Sequence, residues 1–173
     1  MAGFSKKKTA VRRQKGMEME GLNMERISKE IVPKFAIEGT LTEAVPYGSG
    51  HINDTVRLTC ALENGGQKRY ILQRMNDGIF KNPVELMENV MNVTSFLRKK
   101  IVERGGDPER ETLNVIRTVD GDNFLKDEDG DFWRMYIFIE NATSFDMVRT
   151  PEDFYNSAVS FGNFQLLLQD YPA

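Results

Sequence analysis

From Thr55 to Leu62 the side chains alternate: Val56, Leu58 and Cys60 are apolar, and Thr55, Arg57 and Thr59 between them are polar. A period of two fits a strand with one packed face and excludes an amphipathic helix over the same stretch. Asn64-Gly65-Gly66 follows as a turn, and Arg69 to Met75 reads as the returning strand. Leu41 to Tyr47, upstream, predicts a strand of its own. Three consecutive antiparallel strands are therefore expected near the middle of the chain.

Helices flank this region. Ile27, Ile31 and Phe35 recur at four-residue spacing after Met17, Met19 and Met24, and Pro33 ends that helix early. Asn82-Pro83-x-Glu85 has the pattern of an N-cap, a first-turn proline and a capping box. Leu86, Val90, Val93 and Leu97 then form one apolar stripe, with Arg98, Lys99 and Lys100 near the end where cations suit the dipole. "ERGGDPER" breaks the pattern. Leu113–Thr118, Asn123–Lys126 and Phe132–Ile139 read as further strands, joined by Asp120-Gly121 and Asp129-Gly130 turns. After "ENATSFD", Thr150-Pro151-Glu152-Asp153 starts a last helix whose buried face is expected to hold Phe154, Ala158, Phe161 and Leu168. The fold class expected is α+β, with an antiparallel sheet of about five strands plus a helix.

Charge narrows the function. The net charge is −3, yet residues 1–16 hold Lys6, Lys7, Lys8, Arg12, Arg13 and Lys15 and no acid. The remaining 17 of the 23 basic groups face all 26 acidic ones, a balance of about −9. An acidic body argues against nucleic acid as its partner. The basic head, without apolar periodicity, predicts a solvated, mobile tail, with RNA or acidic lipid as the rival use. No segment resembles a secretory signal or is long enough to span a bilayer, so no membrane partner is expected. Cys60 is the only cysteine and is expected to be a small buried hydrophobe. Together these predict a cytoplasmic protein. The acidic run Asp127 to Asp131 fails a calcium-loop pattern, because Gly130 at the sixth position puts Leu125 at the first, and a hairpin turn is expected instead.

"VPYGSGHINDT" joins the first two strands. No Gly-Lys-Ser/Thr follows, so it is not a Walker A loop. Asn53 occupies the third glycine position of a dinucleotide fingerprint, and a strand comes next rather than a helix. What remains is a glycine-rich turn between antiparallel strands, then a third strand ending in polar residues, then a helix. Small residues in such a turn let backbone N–H groups approach phosphate oxygens.

"PYGSGHINDT", "YILQRMNDGIFKNPVELMENV", "GGDPERETL" and "WRMYIFIENATSFD" resemble the amino-terminal part of the aminoglycoside phosphotransferase/choline kinase superfamily, and within it the N-acetylhexosamine 1-kinase-like sugar kinases. The similarity runs from about Ile37 to the end. It implies a kinase-like nucleotide lobe over residues 24–139, a hinge or linker over 140–149 and the first helix of a larger, truncated lobe over 150–173, after a basic tail of residues 1–23. It also implies ATP and Mg²⁺ as cofactors. Gly48, Ser49, Gly50, His51, Ile52 and Asn53 would form the loop over the phosphates. The third strand should carry a phosphate-contacting lysine, where this chain has Gln73, with Arg74 beside it as the other candidate. Glu88 would match the helix glutamate that orients the strand residue, although at 100° per residue it lies almost opposite the apolar stripe. Tyr136 to Ile139 would be the hinge, with backbone groups of Ile137 and Ile139 on adenine.

Phosphoryl transfer in that superfamily uses an Asp in a His-x-Asp-x-x-x-x-Asn-like loop and a later acidic Mg²⁺ ligand. The single histidine, His51, has Asn53 two residues on. No catalytic residue and no Mg²⁺ ligand is therefore assigned within these residues. The expectation is an inactive ATP-binding lobe whose full-length parent phosphorylates a sugar hydroxyl. The rival expectation is a non-catalytic module that associates through an exposed lobe surface, including self-association.

Overall fold

A computed structural model describes residues 22–48, 52–143, 145 and 147–172. The basic segment 1–16, Met17 and Met19, and the loop residues Ser49, Gly50 and His51 lie outside the described residues. The chain divides into two compact units. One combines the residues up to Glu88 with Val115–Phe138, and the other combines Asn89–Asn114 with the residues from Ile139 onward. Asn89–Asn114 thus groups with the late part of the chain, whereas the sequence placed it in the 24–139 lobe.

The first unit is built on a six-stranded antiparallel sheet, so the α+β class holds, with one strand more than the five or so expected. Its strands are β1 (Thr40–Pro46), β2 (Asp54–Ala61), β3 (Gln67–Met75), β4 (Val115–Ile116), β5 (Leu125–Lys126) and β6 (Phe132–Ile137). They run in the order β1-β2-β3-β6-β4, with β5 also paired to β6. β4 and β5 are two residues each, shorter than their sequence ranges suggested. The region before β5 spends its backbone groups on turns instead: Thr118 N–H donates to Asp122 O, and Gly121 N–H to Thr118 O. The acidic run closes the β5–β6 hairpin, where Asp127 N–H donates to Asp131 O at 2.9 Å and Gly130 takes φ 82°.

Register decides the two faces of this sheet. Val56 pairs with Leu72, Leu58 with Tyr70, and Leu72 with Met135, so these side chains emerge on one side with Cys60 and Trp133. All are essentially fully buried. They pack against α1, a continuous helical stretch formed by an α-turn (Met24–Arg26), a π-turn (Ile27–Ile31) and a 3-10 turn (Val32–Lys34). Ile27, Ile31 and Phe35, the four-spaced residues of the sequence, fill that contact with Val32. Each such side chain, fully buried, stabilises by about 1.5–3 kcal/mol. Cys60 sits among them, and burial pushes its thiol up in pKa, as suits a packing residue.

α2 (Pro83–Glu103) starts where its cap signal lies, and Asn82 Oδ1 accepts from Glu85 N–H at 3.3 Å. Its burial is rotated from the expected stripe: Met87, Leu97 and Ile101 are buried, while Leu86, Val90 and Val93 are only half-buried. Unbranched Met87, outside the Leu and Val stripe, fills irregular packing space as readily as leucine.

In the second unit "GGDPER" forms a short helix, α3 (Pro108–Glu111), not a plain break. Asp107 is its N-cap and accepts from Glu109 N–H at 2.9 Å. α4 (Pro151–Leu167) begins on the expected signal: Thr150 Oγ1 accepts from Asp153 N–H, and Asp153 Oδ2 accepts from Thr150 N–H. The expected buried face of α4 does not form. Phe154 is 67% exposed and Phe161 64%, Ala158 is exposed, and Leu168 is half-buried. Within its unit the helix is tied at its C-terminal end, by Lys100 to Asp170 at 2.5 Å and by the edge contact of Phe96 with Tyr171.

Candidate functional site

The face of the sheet opposite α1 has a different character. Thr55 pairs with Gln73 and Gln73 with Arg134, so these three side chains form one row across β2, β3 and β6. Arg57, Ile71 and Tyr136 form the next row, about two residues or roughly 6.6 Å along the strands. Tyr47 continues the face, since its N–H bonds to Thr55 O and its ring meets Phe138 edge-on at 5.6 Å. Apolar Ile71, Tyr136, Tyr47 and Phe138 are thus mixed with a few polar groups, a composition common in small-molecule sites. Here Tyr136 is buried and Ile71, Gln73, Arg134 and Phe138 are half-buried. Two concavities, of about 490 and 300 Å³, lie beside Gly39 and Asn64 and between Lys34 and Lys126, away from these rows.

Hydrogen bonds fix the first row. Gln73 Nε2 donates to Thr55 Oγ1 at 3.1 Å, and Gln73 Oε1 accepts from Arg134 Nε at 3.2 Å and Nη2 at 3.0 Å. The Arg134 guanidinium also lies over the Tyr136 ring at 5.2 Å. Among the described residues it meets no carboxylate. Burial pushes the Tyr136 hydroxyl up to about 12 despite the nearby Arg134, so it stays protonated near neutral pH. Arg57 Nη2 donates to Glu43 Oε2 at 3.1 Å, but Arg57 Nε is buried without a partner among the described residues. An orphaned buried donor is costly to keep and often marks a place where a ligand or water completes the site.

Arg74 lies elsewhere. It pairs with Asp54 on β2 and with Trp133 on β6, which puts it on the α1 face. Its Nε donates to Asp54 Oδ2 at 2.8 Å, its Nη1 reaches Asp131 at 3.2 Å, and its guanidinium lies 5.9 Å from the Trp133 ring. Of the two candidates for the lysine position, the one on the mixed face is Gln73, and Arg74 is held on the other side by two carboxylates.

The remaining loop residues are partly structural. Gly48 takes φ 83°, where a side chain would strain the backbone although the space beside it is empty. Ile52 is 51% exposed. Asn53 is half-buried, and its Oδ1 accepts from Asn76 N–H at 3.1 Å, bracing the end of the loop to the end of β3. Glu88 is exposed and, among the described residues, makes no ion pair.

The strand end expected to act as a hinge lies where β6 passes the end of β4. Phe138 N–H donates to Arg69 O at 3.0 Å, so the ladder's alternation turns the N–H and C=O of Ile137 away from β3. On that outer side β4 pairs only as far as Val115 with Tyr136. The Ile137 backbone groups therefore face the β4 side of the strand, just beyond the last paired position. Ile139 is half-buried and belongs to the second unit.

Thr55, Arg57 and Arg134 were not among the expected site residues. The signal was present, since "WRMYI" alternates Trp133 and Met135 with Arg134 and Tyr136, and charge in the off-core positions of an inner strand is unusual. No described group of histidine, cysteine or acidic residues is arranged to hold a metal ion, and no helix among the described residues is long and apolar enough to cross a membrane. No protein-family model matches the chain.

Proposed function

We propose that the chain is the ATP-binding lobe of a kinase-like phosphotransferase, resembling the aminoglycoside phosphotransferase/choline kinase superfamily and its N-acetylhexosamine 1-kinase-like members. The observation that carries this reading is the mixed sheet face. It is flanked on one side by Gly48, where β1 leads into the connection to β2, and on the other by the end of β6, where the Ile137 backbone groups turn away from β3. A base can pack on Ile71, Tyr47 and Phe138 with its polar edge toward the end of β6, while phosphates reach Gly48 and the arginine-bearing row. The transfer itself, from ATP to a sugar hydroxyl, needs a catalytic base and Mg²⁺ ligands that none of these 173 residues is assigned. The chain's own contribution is to bind and orient the nucleotide, with the rest of the chemistry supplied by other groups. ATP should bind near 1 mM, about −4 kcal/mol. ATP consumption with N-acetylhexosamines and Mg²⁺ should stay at background. Turnover near one per second, in the usual kinase range, or no ATP binding at 10 mM, would refute this reading.

A second reading is supported by α4, which exposes Phe154, Tyr155, Phe161 and Leu166 at 64–68% each. Four exposed large apolar side chains on one helix suit an interaction surface, including one between two copies. Light scattering on the chain, with and without residues 150–173, tests it. Concentration-dependent association that vanishes on removal of the helix supports the module reading, and a monomer at all concentrations opposes it.

A further inference from the structure

We infer that Arg134, on β6, supplies the phosphate-contacting cation that kinase-like lobes carry as a lysine on the third strand. The inference rests on the nucleotide-binding reading above and assigns that reading its anion contact. On β3 the available residue is a neutral amide, Gln73, and the neighbouring cation, Arg74, is turned to the other face and neutralised by Asp54 and Asp131. Directly across the ladder from Gln73 stands Arg134. Thr55 and Gln73 form a short relay that ends in two hydrogen bonds to the guanidinium, so the arginine is aimed by its neighbours before any ligand arrives.

The bonding pattern leaves that cation incomplete. Both bonds to Gln73 use Nε and Nη2, and Nη1 makes no hydrogen bond among the described residues. The Tyr136 ring below it gives only partial compensation for a half-buried charge. A guanidinium in such a place gains most from an anion that offers two oxygens to its fork, as a phosphate group does. Arg57, one row away on the same face, has its own buried donor without a partner, so the anion meets a second unsatisfied group. The chemistry recognised is therefore the polyphosphate of a nucleotide, with Gln73 as the residue that positions the arginine.

The test is a titration of the full chain with ATP and with adenosine, followed by amide NMR at one fixed salt concentration. Wild type should bind ATP more tightly than adenosine, by about tenfold or more for one charge-assisted phosphate contact. Arg134→Gln should remove that preference and leave adenosine binding unchanged. The double variant Gln73→Lys/Arg134→Gln, which returns the cation to β3, should restore most of it. Should Arg134→Gln not fold, Arg134→Lys replaces it: the fork becomes a point charge, and ATP binding should weaken several-fold with adenosine unchanged. An ATP-to-adenosine ratio that survives these substitutions overturns the role of Arg134 while leaving the nucleotide site standing. A wild-type chain that binds neither compound overturns the site and the inference together.

Discussion

Trp133 and Arg134 are neighbours in one strand and belong to different worlds. Trp133 faces α1, is 1% exposed, and its indole Nε1 donates to Asp127 Oδ2 at 2.8 Å. Arg134 faces the other way, half-buried, with an amide for a partner and no carboxylate among the described residues. Every central strand repeats the contrast. On the α1 side the polar groups that occur are neutralised in pairs, Arg74 with Asp54 and Asp131, and Arg26 with Asp127. On the opposite side Arg57 pairs with Glu43 yet keeps a buried Nε without a partner among the described residues, and Arg134 is held by the Gln73 amide. One face is apolar and charge-paired, and the other mixes apolar side chains with cationic and amide groups.

Substitution of the two neighbours breaks the comparison most strongly. Trp133→Ala should lower unfolding free energy by about 3–5 kcal/mol, the range for removing a large aromatic from a core. Arg134→Gln should change it by less than about 1 kcal/mol, because no packed core or paired carboxylate is lost. Urea unfolding of both variants measures this. Equal losses would mean that both faces support the fold.

The next effect is smaller and depends on pH. Burial by itself would raise the pKa of Asp127, but the Trp133 indole, the Asp131 backbone N–H and Arg26 donate to it and hold it below the usual aspartate value. A group with a lowered folded pKa stabilises above its unfolded value, about 4, and that contribution is lost as pH falls through the folded pKa. Asp127→Asn should therefore cost about 1.5–3 kcal/mol at pH 7, the range for hydrogen bonds to a charged group. It should also flatten the fall in stability below about pH 4. Thermal melts from pH 7 to pH 3 give both readouts, and a variant that melts in parallel with wild type across that range would contradict the role given to Asp127.

The smallest expected change in stability belongs to α4. Phe154→Ser with Leu166→Ser should alter it by less than about 0.5 kcal/mol, because both side chains already face solvent. A larger loss would show that these residues are packed in solution, against a second copy or elsewhere.

Much of the sheet was legible because its signals are local. The alternation from Thr55 to Leu62, the turn at Asn64-Gly65-Gly66 and the Thr150 capping box each depend on a few adjacent residues, and each forms as read. Parity also held the answer to the choice between Gln73 and Arg74. Leu72 and Arg74 share a face, so a core Leu72 commits Arg74 to the core side. What the sequence withheld depends on distant partners. Arg74 is tolerable there only because Asp54 and Asp131 arrive from β2 and the β5–β6 turn. Gly39 shows no local signal, yet an added Cβ would lie 2.3 Å from Ala61 O at a φ of 84°. The apolar residues of α4 read as a core face because amphipathic spacing reports what a helix can bury, without reporting whether anything covers it.

The central claim is that the face bearing Gln73 and Arg134 is the nucleotide face, and a residue-resolved amide NMR titration with ATP tests it most directly. We expect the largest shifts at Tyr47, Gly48, Thr55, Gln73, Arg134 and Ile137, with Leu58, Leu72 and Met135 on the α1 side shifting little. Shifts confined to the α1 face, or spread over α4 with none in those rows, would contradict it.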